Sequence, residues 1–323
     1  MNEHNLEINL DCCATYNNLE AFLVYFDQTN DINKCFVHSP IFDIPSLCEY
    51  FLSLGTDINE KGEHGKTALH IAAINNCKEA AEFLLSHGVN INAKDENEET
   101  VLHMAAENNS KETVELLISC GANINEKDKH GFTILHYAAY KDSKDTVEFL
   151  LSQGAKIYES VKNGLTALSF AAIRNCVETI GLHLSHGVTI NEKDANRKTP
   201  LHYAAEYNHK ETVESLISNG ANVNEKDKNG QTALHIATYN NRKEIAEFLI
   251  LHGTNINEKD EKGRTPLHYS VFKHNQETTE LLISNGANVN EKDKNRITAL
   301  DIALYYNLGN MEDFLLSHGA KLY

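Results

Sequence analysis

Apolar positions in this chain fall into two short helical stretches per 33 residues, and the spacing holds without insertion or deletion. In the unit starting at Thr67, Leu69, Ala72 and Ala73 stand at i, i+3, i+4 and share one helical face. A second apolar cluster follows, Phe83–Leu85 here and Leu116–Ile118 in the next unit. Polar runs separate the units: INEKDKHG at 124–131, VNEKDKNG at 223–230 and INEKDEKG at 256–263. A β-favouring residue, then charges, then turn residues predict an extended, hairpin-like finger. Helix, helix and finger recur eight times from Thr67 onward. A fixed period of this length marks stacked supersecondary units rather than one globular core.

The first helix of each unit opens with a shared heptapeptide, TALHIAA at 67–73, TVLHMAA at 100–106, TILHYAA at 133–139 and TPLHYAA at 199–205. Its Thr is placed as an N-cap, whose oxygen accepts from the free amides of the first turn. Pro200 and Pro266 follow it at the first helical position, where a missing N–H costs nothing. Asn76, Asn109, Asp142, Asn175, Asn208, Asn241, His274 and Asn307 fall where this helix should stop. Asn tolerates the left-handed conformation that ends a helix. The second helix opens beside an acid, such as Glu79, Glu112 or Asp145, which complements the positive helix end. Gly88 and its equivalents are placed as left-handed C-caps.

Residues 1–33 do not match the repeat, and the apolar run Leu19–Phe26 predicts a buried helix covering the first face of the stack. Residues 34–66 keep the period and lose the motif. There CFVHSP occupies the heptapeptide slot, and Pro40 and Pro45 rule out one long helix. This segment reads as a degenerate capping repeat, ahead of eight full repeats at 67–323.

Thr-x-Leu-His-x-Ala-Ala, two short helices, Gly-Ala and a turn in 33 residues resemble ankyrin repeats, over about Lys34 to Tyr323. The segment Pro45–Lys61, the helix-ending asparagines and the NEKD fingers further resemble long ankyrin arrays of protists, which carry a helical N-terminal region. The resemblance implies an all-α solenoid of stacked helix-turn-helix units joined by β-hairpin-like fingers. It implies a curved stack, with the fingers and first helices on the concave side. The motif histidines His70, His103, His136, His202, His235 and His268 would hydrogen-bond around the motif Thr.

One unit departs from the pattern. Between Thr166 and Gly187, Ser169 replaces the motif His, Gly181 interrupts the second helix, and His183 takes an apolar slot. Tyr158 and Val161 replace Asn and Asp in the finger before it. We expect this to be the weakest internal repeat, since helical Gly and a buried imidazole both cost stability.

Composition narrows the function. The formal net charge of −17 opposes binding to phosphate backbones, so nucleic acid is not an expected partner. No run of 18 apolar residues predicts a membrane span, and Met1–Asp11 lacks the basic start of a signal peptide. Seven cysteines at irregular spacing, without CxxC, fit a reducing, cytosolic setting. Motif histidines on helices packed about 8–10 Å apart cannot share one metal ion, so no metal or cofactor is expected. GEHGKT at 62–67 is a near miss of a phosphate loop, with Glu60 where the first Gly should be. No nucleophile elbow or HExxH occurs, and the chain is not expected to be an enzyme.

The positions that vary between units are therefore the informative ones. Two residues after each Ala-Ala should face the groove, and aromatics recur there from the third unit onward. Phe132, Tyr140, Lys141, Arg174, Tyr207, Tyr239, Phe272, Lys273, Tyr305 and Tyr306 form the candidate partner-binding set. Aromatics with interleaved cations would suit a peptide with acidic and apolar positions. The expected function is a non-enzymatic protein-protein interaction scaffold, monomeric, with a protein partner. The alternative is a self-associating structural protein, and a competing account of the aromatics is packing between neighbouring units.

Overall fold

The computed structural model describes Leu10 and residues 18–322. Contacts divide the chain into two compact units, Met1–Glu159 and Ser160–Tyr323. Among the described residues the structure is helical, and pairing between extended segments is limited to isolated bridges such as Lys61–Thr67 and Lys94–Thr100 at finger bases.

The first unit opens with helix Leu19–Thr29, whose first turn is capped by Asn18 Oδ1 accepting from the Ala21 N–H at 3.0 Å. It buries Phe22 and Phe26, whose rings meet Phe51 edge-on at 6.0 and 5.1 Å. Asp31 then caps helix Ile32–His38. That helix crosses the expected border at residue 33, because its cap lies upstream of the heptapeptide slot. Pro40 sits in a 3-10 turn, Ser39–Phe42, and Pro45 starts helix Pro45–Ser53, so both prolines mark breaks. Three helix pairs follow: Ala68–Ile74 with Lys78–Ser86, Val101–Glu107 with Lys111–Ser119, and Ile134–Tyr140 with Lys144–Ser152.

The second unit holds five pairs. They are Ala167–Arg174 with Val177–Ser185, Pro200–Tyr207 with Lys210–Ser218, Ala233–Tyr239 with Lys243–Leu251, Pro266–Phe272 with Gln276–Ser284, and Ala299–Tyr305 with Gly309–Ser317. Within each unit, first helices pack on first helices of the next repeat, with paired alanines such as Ala72, Ala73, Ala204 and Ala205 fully buried between them. In seven of the eight pairs one leucine of the second helix, such as Leu84, Leu117, Leu216, Leu249 or Leu315, is completely buried, and in Val177–Ser185 His183 takes that place. Each such side chain contributes about 1.5–3 kcal/mol of apolar transfer.

The motif Thr and His form a reciprocal cap. The backbone N–H of Thr100 donates to His103 Nδ1 at 3.1 Å, and Thr100 Oγ1 lies 2.8 Å from the same nitrogen. The same pair occurs at Thr67–His70, Thr133–His136, Thr199–His202, Thr232–His235 and Thr265–His268. Since Nδ1 accepts, the ring proton sits on Nε2, which in His103, His202, His235 and His268 donates to a carbonyl of the following finger. Those carbonyls are Phe132 for His103, Gln231 for His202, Arg264 for His235 and Ile297 for His268, all at 3.1–3.2 Å. Burial depresses the pKa of His103, His202 and His268, and that of His70 and His235 to about 4.

Every expected helix-ending residue is left-handed, from Asn76 (φ 53°) to Asn307 (φ 55°). At Asn76, Asn175 and Asn241 the side chain also caps the next repeat. Asn76 Oδ1 accepts from Thr113 Oγ1 at 3.1 Å, Asn175 from Thr212 at 2.9 Å and Asn241 from Thr278 at 3.0 Å. Asp43 (φ 52°) does the same for the Ala80 N–H at 2.8 Å, so the motif-poor repeat keeps this device.

The NEKD fingers form ladders. In the first unit Asn59, Asn92 and Asn125 each accept through Oδ1 from the backbone N–H 31 residues on. In the second, Asn191, Asn224, Asn257 and Asn290 do likewise at 2.8–3.0 Å. Lysines reach the next repeat's glutamate, as in Lys94–Glu126 (3.1 Å) and Lys259–Glu291 (2.7 Å). In six fingers a buried Asp, from Asp95 to Asp293 in register, folds the turn, and Val161 stands there in the divergent one. Asp260 Oδ1 accepts from the N–H groups of Lys262 and Arg264 at 2.8 and 2.7 Å.

Candidate functional site

The expected site residues sit at the C-terminal ends of first helices and on fingers, the positions where the chain turns away from the packed alanines. In the first unit Phe132 is half-buried, its ring 5.7 Å from Tyr137 and 5.9 Å from His136. Tyr140 is 38% exposed. Lys141 is exposed and points to Glu107 at 3.6 Å.

The second unit carries the larger set. Tyr207 is 50% exposed, Tyr239 39%, Phe272 40%, Tyr305 80% and Tyr306 41%. Arg174 is exposed on the first helix of this unit. Tyr207 stacks on His209 of its own repeat at 6.2 Å. Tyr239 meets Tyr269 of the next repeat edge-on at 5.8 Å, and the Lys273 ammonium lies 4.4 Å over the Tyr239 ring. Phe272 and Tyr306 are nearly perpendicular at 5.8 Å, as are Tyr305 and Tyr306 at 5.0 Å. The structure thus joins Tyr239 with Lys273, and Phe272 with Tyr305 and Tyr306. The rings touch neighbouring repeats and still leave substantial area to solvent.

A cavity of about 380 Å³ opens beside the last cluster. Its walls are Phe272, Tyr305, Tyr306, Tyr269, Ile297 and Ile302, with Arg264, His268, Asp293 and Asp301 at the polar side. A smaller, more polar hollow of about 240 Å³ lies between Lys198, Glu206, Gln231, Ile236 and Tyr239. The basic residues of these walls are held by the chain's own groups. Lys198 bonds Glu206 at 2.6 Å, and Arg264 Nε lies 3.9 Å from Asp293.

Three tyrosines that the sequence reading passed over fix the fingers to the helices. Tyr203 donates to Asp194 Oδ2 at 2.5 Å, Tyr269 to Asp260 at 2.7 Å and Tyr137 to Asp128 at 3.0 Å. Burial first, then the Asp260 bond and charge, push the Tyr269 phenol up to about 12, so it stays a donor. Ile297 and Arg264, on the fingers just before the motif Thr, were also passed over. Both belong to positions that change type from unit to unit, the same signal that drew attention to Phe132.

No group of three or more His, Cys, Asp or Glu side chains suited to a metal ion occurs among the described residues. Asp301 stands where other repeats place the motif His and takes over its cap, Oδ2 accepting from both Thr298 N–H and Oγ1 at 2.8 Å. Gly65 and Thr67 of the GEHGKT segment serve the finger turn (φ 74°) and the helix cap.

A family model described as ankyrin repeats (3 copies) matches residues 10–95, 37–128, 90–160, 168–260, 212–293 and 251–323. No curated protein matches the chain.

Proposed function

The chain belongs to the ankyrin-repeat family, and from that premise we propose that it is a non-enzymatic scaffold binding a protein partner on the face made by its first helices and fingers. The observation that carries this is the row of exposed rings, Tyr207, Tyr239, Phe272, Tyr305 and Tyr306, at first-helix ends in the second unit. Exposed aromatics beside a cavity have the composition of interface anchors. Phe132, Tyr140, Lys141 and Arg174 are included as further contact residues. The repetition of the motif histidines and finger carboxylates, each tied into the scaffold, supports a role without catalysis.

The test is affinity capture with the intact protein and with a Tyr207/Tyr239/Phe272 triple alanine variant that remains folded by circular dichroism. A bound set lost in the variant is expected. An unchanged bound set would reject this face.

A second reading is self-association, favoured by the exposed Ile297, Leu304 and Leu316 of the last repeat. Light scattering separates the two, since a monomer at all concentrations removes it. Our reading places the protein in the cytosol as a monomer, and the irregularly spaced cysteines without CxxC fit that reducing setting. Helix Leu19–Thr29 ahead of the repeats supports a kinship with the long protist arrays. No helix among the described residues is long and apolar enough to cross a membrane.

A further inference from the structure

Resting on that reading, we propose that the cavity at the last two repeats receives a positively charged alkylammonium side chain, a lysine or its N-methylated form, from the protein partner. Three rings build the receptor. Tyr306 stands perpendicular to both Phe272 (79°) and Tyr305 (88°), so the faces and edges of the rings surround one space. A ring face carries negative potential, and several faces together hold an ammonium whose water they displace. Asp301 adds a carboxylate to the wall, and both of its bonds to Thr298 fall on Oδ2, which leaves Oδ1 outside that cap. The chain's net charge of −17 favours approach of a cation.

One repeat earlier, the molecule shows the same contact made internally. Tyr239 is the counterpart of Phe272 by the 33-residue period, and it is covered by the ammonium of Lys273 at 4.4 Å. At the next step the residue in register with Lys273 is Tyr306, which is aromatic. The ring thus loses its internal cation and gains a second wall. The one cation in the cavity wall, Arg264, is directed to Asp293 at 3.9 Å and lies 6.0 Å from the Tyr269 ring.

The probes are the capped tripeptides Gly-trimethyllysine-Gly and Gly-lysine-Gly, compared with Gly-norleucine-Gly and Gly-glutamate-Gly, titrated into the full chain while tyrosine ring resonances are followed by NMR. The cationic peptides should shift the Tyr305 and Tyr306 rings saturably, with trimethyllysine roughly tenfold tighter than norleucine. Tyr305→Ala, at a residue 80% exposed, should leave the fold intact and weaken the cationic peptides alone. Equal binding of norleucine, preference for glutamate, or no shift with any peptide would overturn the proposal. Binding only to phosphatidylcholine vesicles would overturn it too, by assigning the cage to a lipid headgroup. Affinity capture still abolished by the triple variant would leave the scaffold reading standing in each of those cases.

Discussion

His183 offers a substitution that should strengthen the protein. It is fully buried, in the slot that Leu84, Leu216 and Leu249 fill elsewhere. Its Nδ1 meets the Thr179 carbonyl at 2.8 Å, while Nε2 is buried with no hydrogen-bond partner. An orphaned buried polar atom costs about 1–3 kcal/mol, against about 0.5–1.5 kcal/mol gained from the bond that is made. His183→Leu removes both and adds apolar contact at near-constant volume, so we expect a net stabilisation of about 1–2 kcal/mol. The gain should depend on pH. Burial lowers the pKa of His183, so the folded state resists the proton that the unfolded state takes up. Its contribution is present above the ordinary histidine value near 6.5 and lost as pH falls below it. The advantage of His183→Leu should therefore grow by up to about 1.4 kcal/mol between pH 7.5 and 5.5. Urea unfolding by circular dichroism gives the total, and native-state hydrogen exchange over 177–185 locates it, since a repeat array need not unfold in one step. A destabilised variant, or an advantage equal at both pH values, would refute the reasoning. Protection in 177–185 already equal to that of flanking repeats would refute the weak-repeat expectation as well.

Gly181 in the same helix is exposed, and a Cβ there would meet nothing within 4 Å, so Gly181→Ala should add about 0.5–1 kcal/mol in the same urea assay. Asn257 accepts from the Asn288 N–H and donates to the Gly286 carbonyl, so Asn257→Ala should cost about 1–2 kcal/mol independently of salt. Lys259→Ala, which removes an exposed ion pair to Glu291, should cost less than about 1 kcal/mol and less still in 1 M salt. Burial first, then the neighbouring Glu79, push Asp43 up to about 6, so the folded state holds a proton the unfolded chain has lost. That contribution is complete below about pH 4 and gone above about 6, so Asp43→Asn should raise the urea midpoint at pH 8 and leave it unchanged at pH 4.

Most of the scaffold was legible because it repeats. A residue type that recurs every 33 positions exposes its role by periodicity alone, and the Thr caps, left-handed asparagines and C-cap glycines appear where expected. What one repeat does to the next was not legible. Nothing local to NEKD says that its Asn accepts from an amide 31 residues away, or that its Asp receives the phenol of Tyr203 or Tyr269. The candidate contact residues were visible as variable aromatics, but their partners depend on which ring the next repeat supplies. Lys273 read as a free cation and lies over Tyr239.

The finger and cap bonds within each unit span fixed offsets, such as 31 residues for the asparagine ladder and 29 for the histidine-to-carbonyl links. Removing or duplicating a whole 33-residue block that carries an NEKD finger would hand each donor of the asparagine ladder an equivalent acceptor. Adding a single residue would put every bond that spans the insertion out of register. A gene encoding such a chain can change length by unequal recombination in whole blocks without inventing a new interface, and the distance its rings can span changes in the same increments.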